Sequence, residues 1–122
     1  MSTPLRLDPG HAALTHWRDV IDGASITLSE TSADAIAAAQ AIVDDIVAAG
    51  TVTYGVNTGF GKLASVRIAD GDLATLQRNL ILSHAVGTGP ALPDGVVRLI
   101  LAMKAASLAR GGSGVRPIVV EA

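Results

Sequence analysis

Apolar residues along this chain recur mostly at three- and four-residue steps, which assigns most of it to helices. Ile36, Ala39, Val43 and Ile46-Val47 fall on one face at helical spacing, with Asp44 and Asp45 bordering it. Thr31 or Ser32 is placed to cap that helix at its start, Asp34 suits its first turn, and Gly50 closes it. A second stripe, Leu73, Leu76, Gln77, Leu80 and His84, predicts a helix that starts near Asp70 or Asp72 and is ended by Gly87-Thr-Gly-Pro90. From Pro93-Asp94 to about Ala109 apolar residues occupy nearly every side, the mark of a central rather than a superficial helix. Shorter signals surround these three. Ala13 to Val20 follows the Pro9-Gly10 turn as a short helix, and Ser25 to Leu28 alternates like a brief strand after Asp22-Gly23. Thr51 to Tyr54 is β-branched and reads as another short strand, which runs into a glycine-rich loop, Gly55 to Gly61. Arg110 to Gly114 is a loop, and Pro117 to Ala122 opens a further helix with proline near its first turn. The predicted fold class is mainly α: three main helices, short strands and one glycine-rich loop.

Composition changes this picture in one respect. Only 16% of the 122 residues are charged while 49% are hydrophobic, against ~25% charged in soluble proteins generally. A small domain with so little charge cannot easily cover its own apolar surface, so burial against more chain or other subunits is expected. The last residues point the same way, because the sequence stops inside an apolar segment with neither a cap nor a polar tail. Residues 1–122 are therefore read as one segment of a larger domain. The apolar content is mostly Ala, Val, Leu and Ile, with Trp17, Tyr54 and Phe60 as the aromatic residues, and no uninterrupted run nears the ~18 residues of a spanning helix. The N-terminus has no apolar core of the signal-peptide kind, so a cytoplasmic location is expected. The absence of cysteine excludes disulfides and thiolate metal sites, and a net charge of −2 without a basic cluster argues against nucleic acid.

Several constellations invite a chemical reading. Gly55, Gly59 and Gly61 free the backbone for positive φ or close approach, Asn57 and Thr58 add short polar groups, and Tyr54 presents a phenol beside them. From composition alone an ordinary surface turn with a packed tyrosine is the simpler reading. A phosphate-binding P-loop fails because Val56 and Leu63 stand where Gly and Ser or Thr are required. Gly59-Phe-Gly-Lys-Leu-Ala64 fits a loose dinucleotide pattern but lacks the following helix and the acidic residue about 20 positions on. His84 ends an apolar stripe, and a lone histidine there is more often structural, although imidazole also donates or accepts toward a polar ligand. His11 and His16 share no helical face and are read as solvent-facing, with no metal site. Ser113 lies among Gly111, Gly112 and Gly114, which could form an anion-binding nest, but its second glycine is misplaced for a nucleophile elbow, with Val115 where one is required, and a flexible helix–helix connection is the simpler reading.

Taken in order and spacing, these pieces resemble the aromatic amino-acid lyases, and within them histidine ammonia-lyase. The resemblance is carried by Tyr54-Gly-Val-Asn-Thr-Gly-Phe-Gly61, Leu76-Gln-Arg-Asn-Leu80, Leu82-Ser-His-Ala-Val-Gly87 and Ser107-Leu-Ala-Arg-Gly-Gly-Ser-Gly-Val-Arg116. It runs from about residue 25 to the end. The pair at positions 83 and 84 discriminates within the family: phenylalanine lyases typically carry Phe-Leu, tyrosine lyases pair a His with a Leu, and histidine lyases carry the Ser-His present here as Ser83-His84. The resemblance thus implies elimination of ammonia from L-histidine to give urocanate.

It also implies how the reaction is run. The family's electrophile, 4-methylideneimidazole-5-one (MIO), forms from its own Ala-Ser-Gly and activates a poor leaving group, the α-amine. The tyrosine matching Tyr54 is the implied base, and a phenol, whose reference pKa is ~10, takes that role near neutral pH only where its surroundings favour the phenolate. His84, Ser83, Gly61 and Asn57 are the implied substrate-binding residues, with His84 bonding the substrate imidazole. These 122 residues contain no Ala-Ser-Gly. The expectation is the N-terminal portion of a longer homotetrameric lyase, truncated before its electrophile and inactive alone. The alternatives are a lyase or aminomutase for another aromatic amino acid, and a non-catalytic oligomerisation fragment.

Overall fold

The computed structural model describes residues 3–122. Two strands, β1 (Leu5–Leu7) and β2 (Ile26–Leu28), alternate with two helices, α1 (Leu14–Ile21) and α2 (Glu30–Ala49). The helices α3 (Leu73–His84), α4 (Asp94–Leu108) and α5 (Pro117–Glu121) complete the order, and single 3-10 turns occupy Gly61–Leu63 and Asp70–Asp72. The chain divides into two units, and the division falls within α2. One unit comprises the chain through Ile42 together with Ala91–Ala122, and the other is Val43–Pro90.

In the first unit β1 and β2 pair in parallel, with Leu5 opposite Ile26 and Leu7 opposite Leu28. Parallel strands need a crossover, and α1 supplies it while packing along α4. Among the described residues the deeply buried apolar side chains lie here: Leu7, Val20, Ile36, Ala39, Ala102, Ala106, Leu108 and Ala109. The expected apolar face of α2 is present, with Ile36 and Ala39 buried and Val43, Ile46 and Val47 half-buried. The helix predicted from Pro93-Asp94 forms as α4, but it buries mainly its small residues. Val96, Val97, Ile100, Leu101 and Met103 remain exposed, so the nearly all-round apolar pattern has only one of its faces covered. Pro117 opens α5 at the first turn, as its position predicts.

Four expectations are corrected. Glu30 begins α2, so Thr31 and Ser32 lie inside its first turn rather than capping it. The flanking Ser29 instead gathers their hydroxyls at 3.0 and 2.8 Å. His16 is not simply solvent-facing: the residue is half-buried, and its Nδ1 is buried without a hydrogen-bond partner. Thr51 to Tyr54 forms no strand, for a reason given below. Finally α3 stops at His84, three residues before Gly87, where Ala85 (φ −77°, ψ 65°) turns the chain and the Val86 amide donates to the His84 carbonyl at 2.8 Å. No helix among the described residues is long and apolar enough to cross a membrane.

Candidate active-site loop and helix end

The second unit, Val43–Pro90, carries every residue that the sequence nominates for the site, and its construction differs from the first. Its deeply buried side chains are polar, Asn57 and Thr58, at 1% and 0% exposure. Hydrogen bonds, rather than an apolar core, therefore fix the loop.

Construction begins where α2 ends. Gly50 takes φ +63°, its amide donates to the Val47 carbonyl at 3.1 Å, and the Thr51 amide reaches the Ile46 carbonyl at 3.2 Å. This is a Schellman closure, which satisfies two helix-terminal carbonyls and turns the chain away. The Asn57 side chain then folds back on the segment that follows. Its Nδ2 donates to the Thr51 carbonyl at 2.9 Å, and its Oδ1 accepts from the Thr53 amide at 2.8 Å. The side-chain amide takes the place that a neighbouring strand would have filled, which is why β-branched Thr51 to Tyr54 does not become one. The Val56 and Asn57 amides both donate to the Thr53 carbonyl, tightening the turn around Tyr54.

From Asn57 onward the loop pairs with its own return. The Ile68 amide donates to the Asn57 carbonyl and the Gly59 amide to the Val66 carbonyl, each at 3.0 Å, around an antiparallel bridge of Thr58 with Arg67. Gly59 is required by contact rather than by φ, since a Cβ there would stand 2.6 Å from the Leu63 Cβ. The inner side of the loop is thus Asn57, Thr58 and Gly59. The outer side is Tyr54, which is 63% exposed and meets Phe60 edge-on at 5.8 Å between ring centroids. Gly61 is exposed at φ +57° with open space where a side chain would sit.

Ser83 and His84 form a second group at the C-terminal end of α3. The Ser83 hydroxyl donates to the Leu80 carbonyl at 3.0 Å, and His84 Nδ1 lies 2.8 Å from the same carbonyl and 3.1 Å from Ser83 Oγ. A carbonyl only accepts, so Nδ1 carries a proton in this contact, and the Nε2 of a neutral ring is left as an acceptor facing solvent. Leu73, Leu76 and Leu80 of the predicted stripe are half-buried, whereas Gln77 and His84 are exposed. Tyr54, Asn57 and Gly61 share the loop that the Asn57 hydrogen bonds shape, and hydrogen bonds gather Ser83 and His84 at the helix end; those bonds do not join the two groups.

Both ends of the Asn57 amide are engaged within the loop, so its side chain shapes the turn that presents Tyr54. Asn57→Asp is expected to lower unfolding stability by about 1–3 kcal/mol, because a carboxylate oxygen would then oppose the Thr51 carbonyl that now accepts from Nδ2. Denaturant titration of the two forms checks this. Arg67, which bridges Thr58, lies outside the Tyr54 to Gly61 motif, and a single bridge leaves no pattern long enough to read from the sequence. Among the described residues no group of three or more His, Cys, Asp or Glu is placed to hold a metal ion.

Comparison with known proteins identifies the family and the fold. A family profile described as aromatic amino acid lyase matches residues 13–122. The chain is 55% identical over 119 residues to a histidine ammonia-lyase of Paracidovorax citrulli, covering 97% of this chain and 23% of that protein. Among solved structures, it superposes on the ergothioneine-degrading ergothionase of Treponema denticola with a TM-score of 0.90 at 27% identity, covering 98% of this chain and 24% of that one. It superposes on tyrosine aminomutase of Streptomyces globisporus with a TM-score of 0.89 at 29% identity, covering 98% and 23%. The chain therefore spans about a quarter of the length of the relatives it matches. The fold is the N-terminal portion of theirs, and the chain belongs to the aromatic amino acid lyase family.

Proposed function

We propose that this chain is part of a histidine ammonia-lyase, which eliminates ammonia from L-histidine to give urocanate, and that it contributes one wall of the active site. The observation that carries the reading is Ser83-His84 in a chain 55% identical to a histidine ammonia-lyase. The His84 geometry supports it: with Nδ1–H held by the Leu80 carbonyl, Nε2 is available to accept the N–H of a substrate imidazole. Phenylalanine offers no such donor, and tyrosine offers one at a different reach.

Tyr54 is the proposed base. It stands on the outer side of a loop braced by Asn57 and Thr58, so the phenol oxygen is accessible to the β-carbon proton of a substrate. Gly61, on the same loop, has open space where a side chain would sit, which leaves room for a ligand there. In this family MIO supplies an electrophile that makes the α-amine a better leaving group. These 122 residues hold no Ala-Ser-Gly from which it could form, so no step on this chain passes through it. The loop and helix end instead supply proton removal, substrate orientation and ring selection to a site completed by other residues of a longer, homo-oligomeric and cytoplasmic enzyme.

The test is substrate profiling of the full-length protein by ultraviolet detection of urocanate. Histidine should be converted in preference to phenylalanine and tyrosine; preference for either of those, or formation of a β-amino acid, would replace this reading with another lyase or an aminomutase. The 122-residue chain by itself is expected to form no urocanate from histidine. Turnover by the isolated chain would contradict the composite site. An oligomerisation role has an observation of its own, the exposed Val96, Val97, Ile100, Leu101 and Met103 of α4. It is compatible with the lyase reading, because apolar surface of this extent requires covering.

A further inference from the structure

We propose that Arg67 is a positioning residue for the loop that presents Tyr54, acting as a clamp between that loop and the C-terminal end of α2. The proposal rests on the lyase reading above and adds to it a residue that does not touch substrate. Three features converge on Arg67. Its backbone bridges Thr58, the most deeply buried residue of the loop, and the neighbouring Val66 carbonyl and Ile68 amide bond Gly59 and Asn57. Its guanidinium lies over Gly50, where a Cβ would stand 2.9 Å from Nη2, 3.6 Å from Cζ and 3.7 Å from Nη1. The same Nη2 donates toward Asp70 Oδ1 at 3.5 Å, at the 3-10 turn that leads into α3.

The electrostatics favour this placement. A guanidinium at a helix C-terminus faces the negative end of the helix dipole. The ion pair with Asp70 is half-exposed and long, so by itself it adds little stability. Its value is geometric: Arg67 ties together the end of α2, the bridge to Thr58 and the turn that enters α3. The unit has few buried apolar side chains to perform that task otherwise. Gly50 then serves two purposes, since its φ of +63° closes α2 and its missing side chain admits the guanidinium.

The test compares full-length wild-type enzyme with Arg67→Met, Arg67→Lys and Gly50→Ala. In Arg67→Met, kcat for histidine should fall by about 10- to 100-fold, the cost of a small misplacement of a reacting group, while KM stays within about twofold. Cleavage after Lys62, an exposed residue of the loop's 3-10 turn, by a lysine-specific protease should accelerate several-fold at unchanged Tm. Arg67→Lys, which keeps the charge and loses the planar fork, should recover part of kcat. Gly50→Ala should reproduce the Arg67→Met kinetics without altering the arginine. Wild-type kcat in Arg67→Met overturns the proposal, as does a loss of kcat with unchanged cleavage at Lys62, because the effect would then not pass through the loop. Should wild-type enzyme release no ammonia from histidine, the lyase reading fails, and the cleavage arm alone decides the clamp: acceleration in both Arg67→Met and Gly50→Ala upholds it, and wild-type rates in both overturn it.

Discussion

Replacing Tyr54 by phenylalanine in the full-length enzyme is expected to lower kcat for histidine by about 10²- to 10⁴-fold, the range by which a positioned general base accelerates proton transfer. The substitution isolates the phenol oxygen. Tyr54 is 63% exposed, so its loss leaves no buried donor or acceptor unpaired, and the edge-on contact with Phe60 at 5.8 Å is retained by a phenyl ring. Stability should therefore change by no more than about 0.5 kcal/mol. The Asn57 bonds that shape the turn involve Thr51 and Thr53 and leave the Tyr54 side chain alone, so the loop conformation should persist. Steady-state kinetics with Tm as a control, and the ultraviolet absorbance of the electrophile to show that it still forms, make the measurement. A near-normal kcat would reduce Tyr54 to a packing partner of Phe60.

The sequence was most legible where local periodicity decides the outcome. Ile36 and Ala39 are buried on the predicted face of α2, Leu73, Leu76 and Leu80 share the partly buried face of α3, and Gly50 and Pro117 stand at helix ends where backbone geometry favours them. It was least legible where a distant partner decides. Leu5 to Leu7 becomes a strand only by pairing with Ile26 to Leu28, across an intervening helix, and three residues carry too short a pattern to announce that. Thr51 to Tyr54 shows the complementary case, in which β-branched propensity gives way to the Asn57 amide four to six residues on. The site divides likewise. Its glycines and its Tyr54 are visible in the motif, but the partition into an inner Asn57-Thr58-Gly59 edge and an outer Tyr54 depends on where Val66 to Ile68 returns. For the same reason the part Asn57 plays in shaping the turn shows only once both ends of its amide are seen engaged within the loop.

His84→Leu is expected to collapse the preference for histidine over phenylalanine, measured as the ratio of their kcat/KM values, by about 30-fold to 10⁴-fold or more. Two contributions add. On the histidine side, an imidazole N–H that met Nε2 would face a methyl group, at a cost of about 1–3 kcal/mol for the unmade bond. On the phenylalanine side, a polar ring edge is replaced by an apolar one, a gain of about 1–3 kcal/mol for a hydrocarbon ring. The residue is exposed at the end of α3, and its Nδ1–H bond to the Leu80 carbonyl is shared with the Ser83 hydroxyl, so that carbonyl keeps a donor when the imidazole is gone. Folding should therefore tolerate the change, and altered selectivity can be assigned to ring recognition rather than to a damaged helix end. An unchanged ratio would remove His84 from the substrate site and leave Ser83-His84 as a helix-end hydrogen-bonding pair. In that event the 55% identity to a histidine ammonia-lyase would support the reaction class without a structural basis for its ring preference.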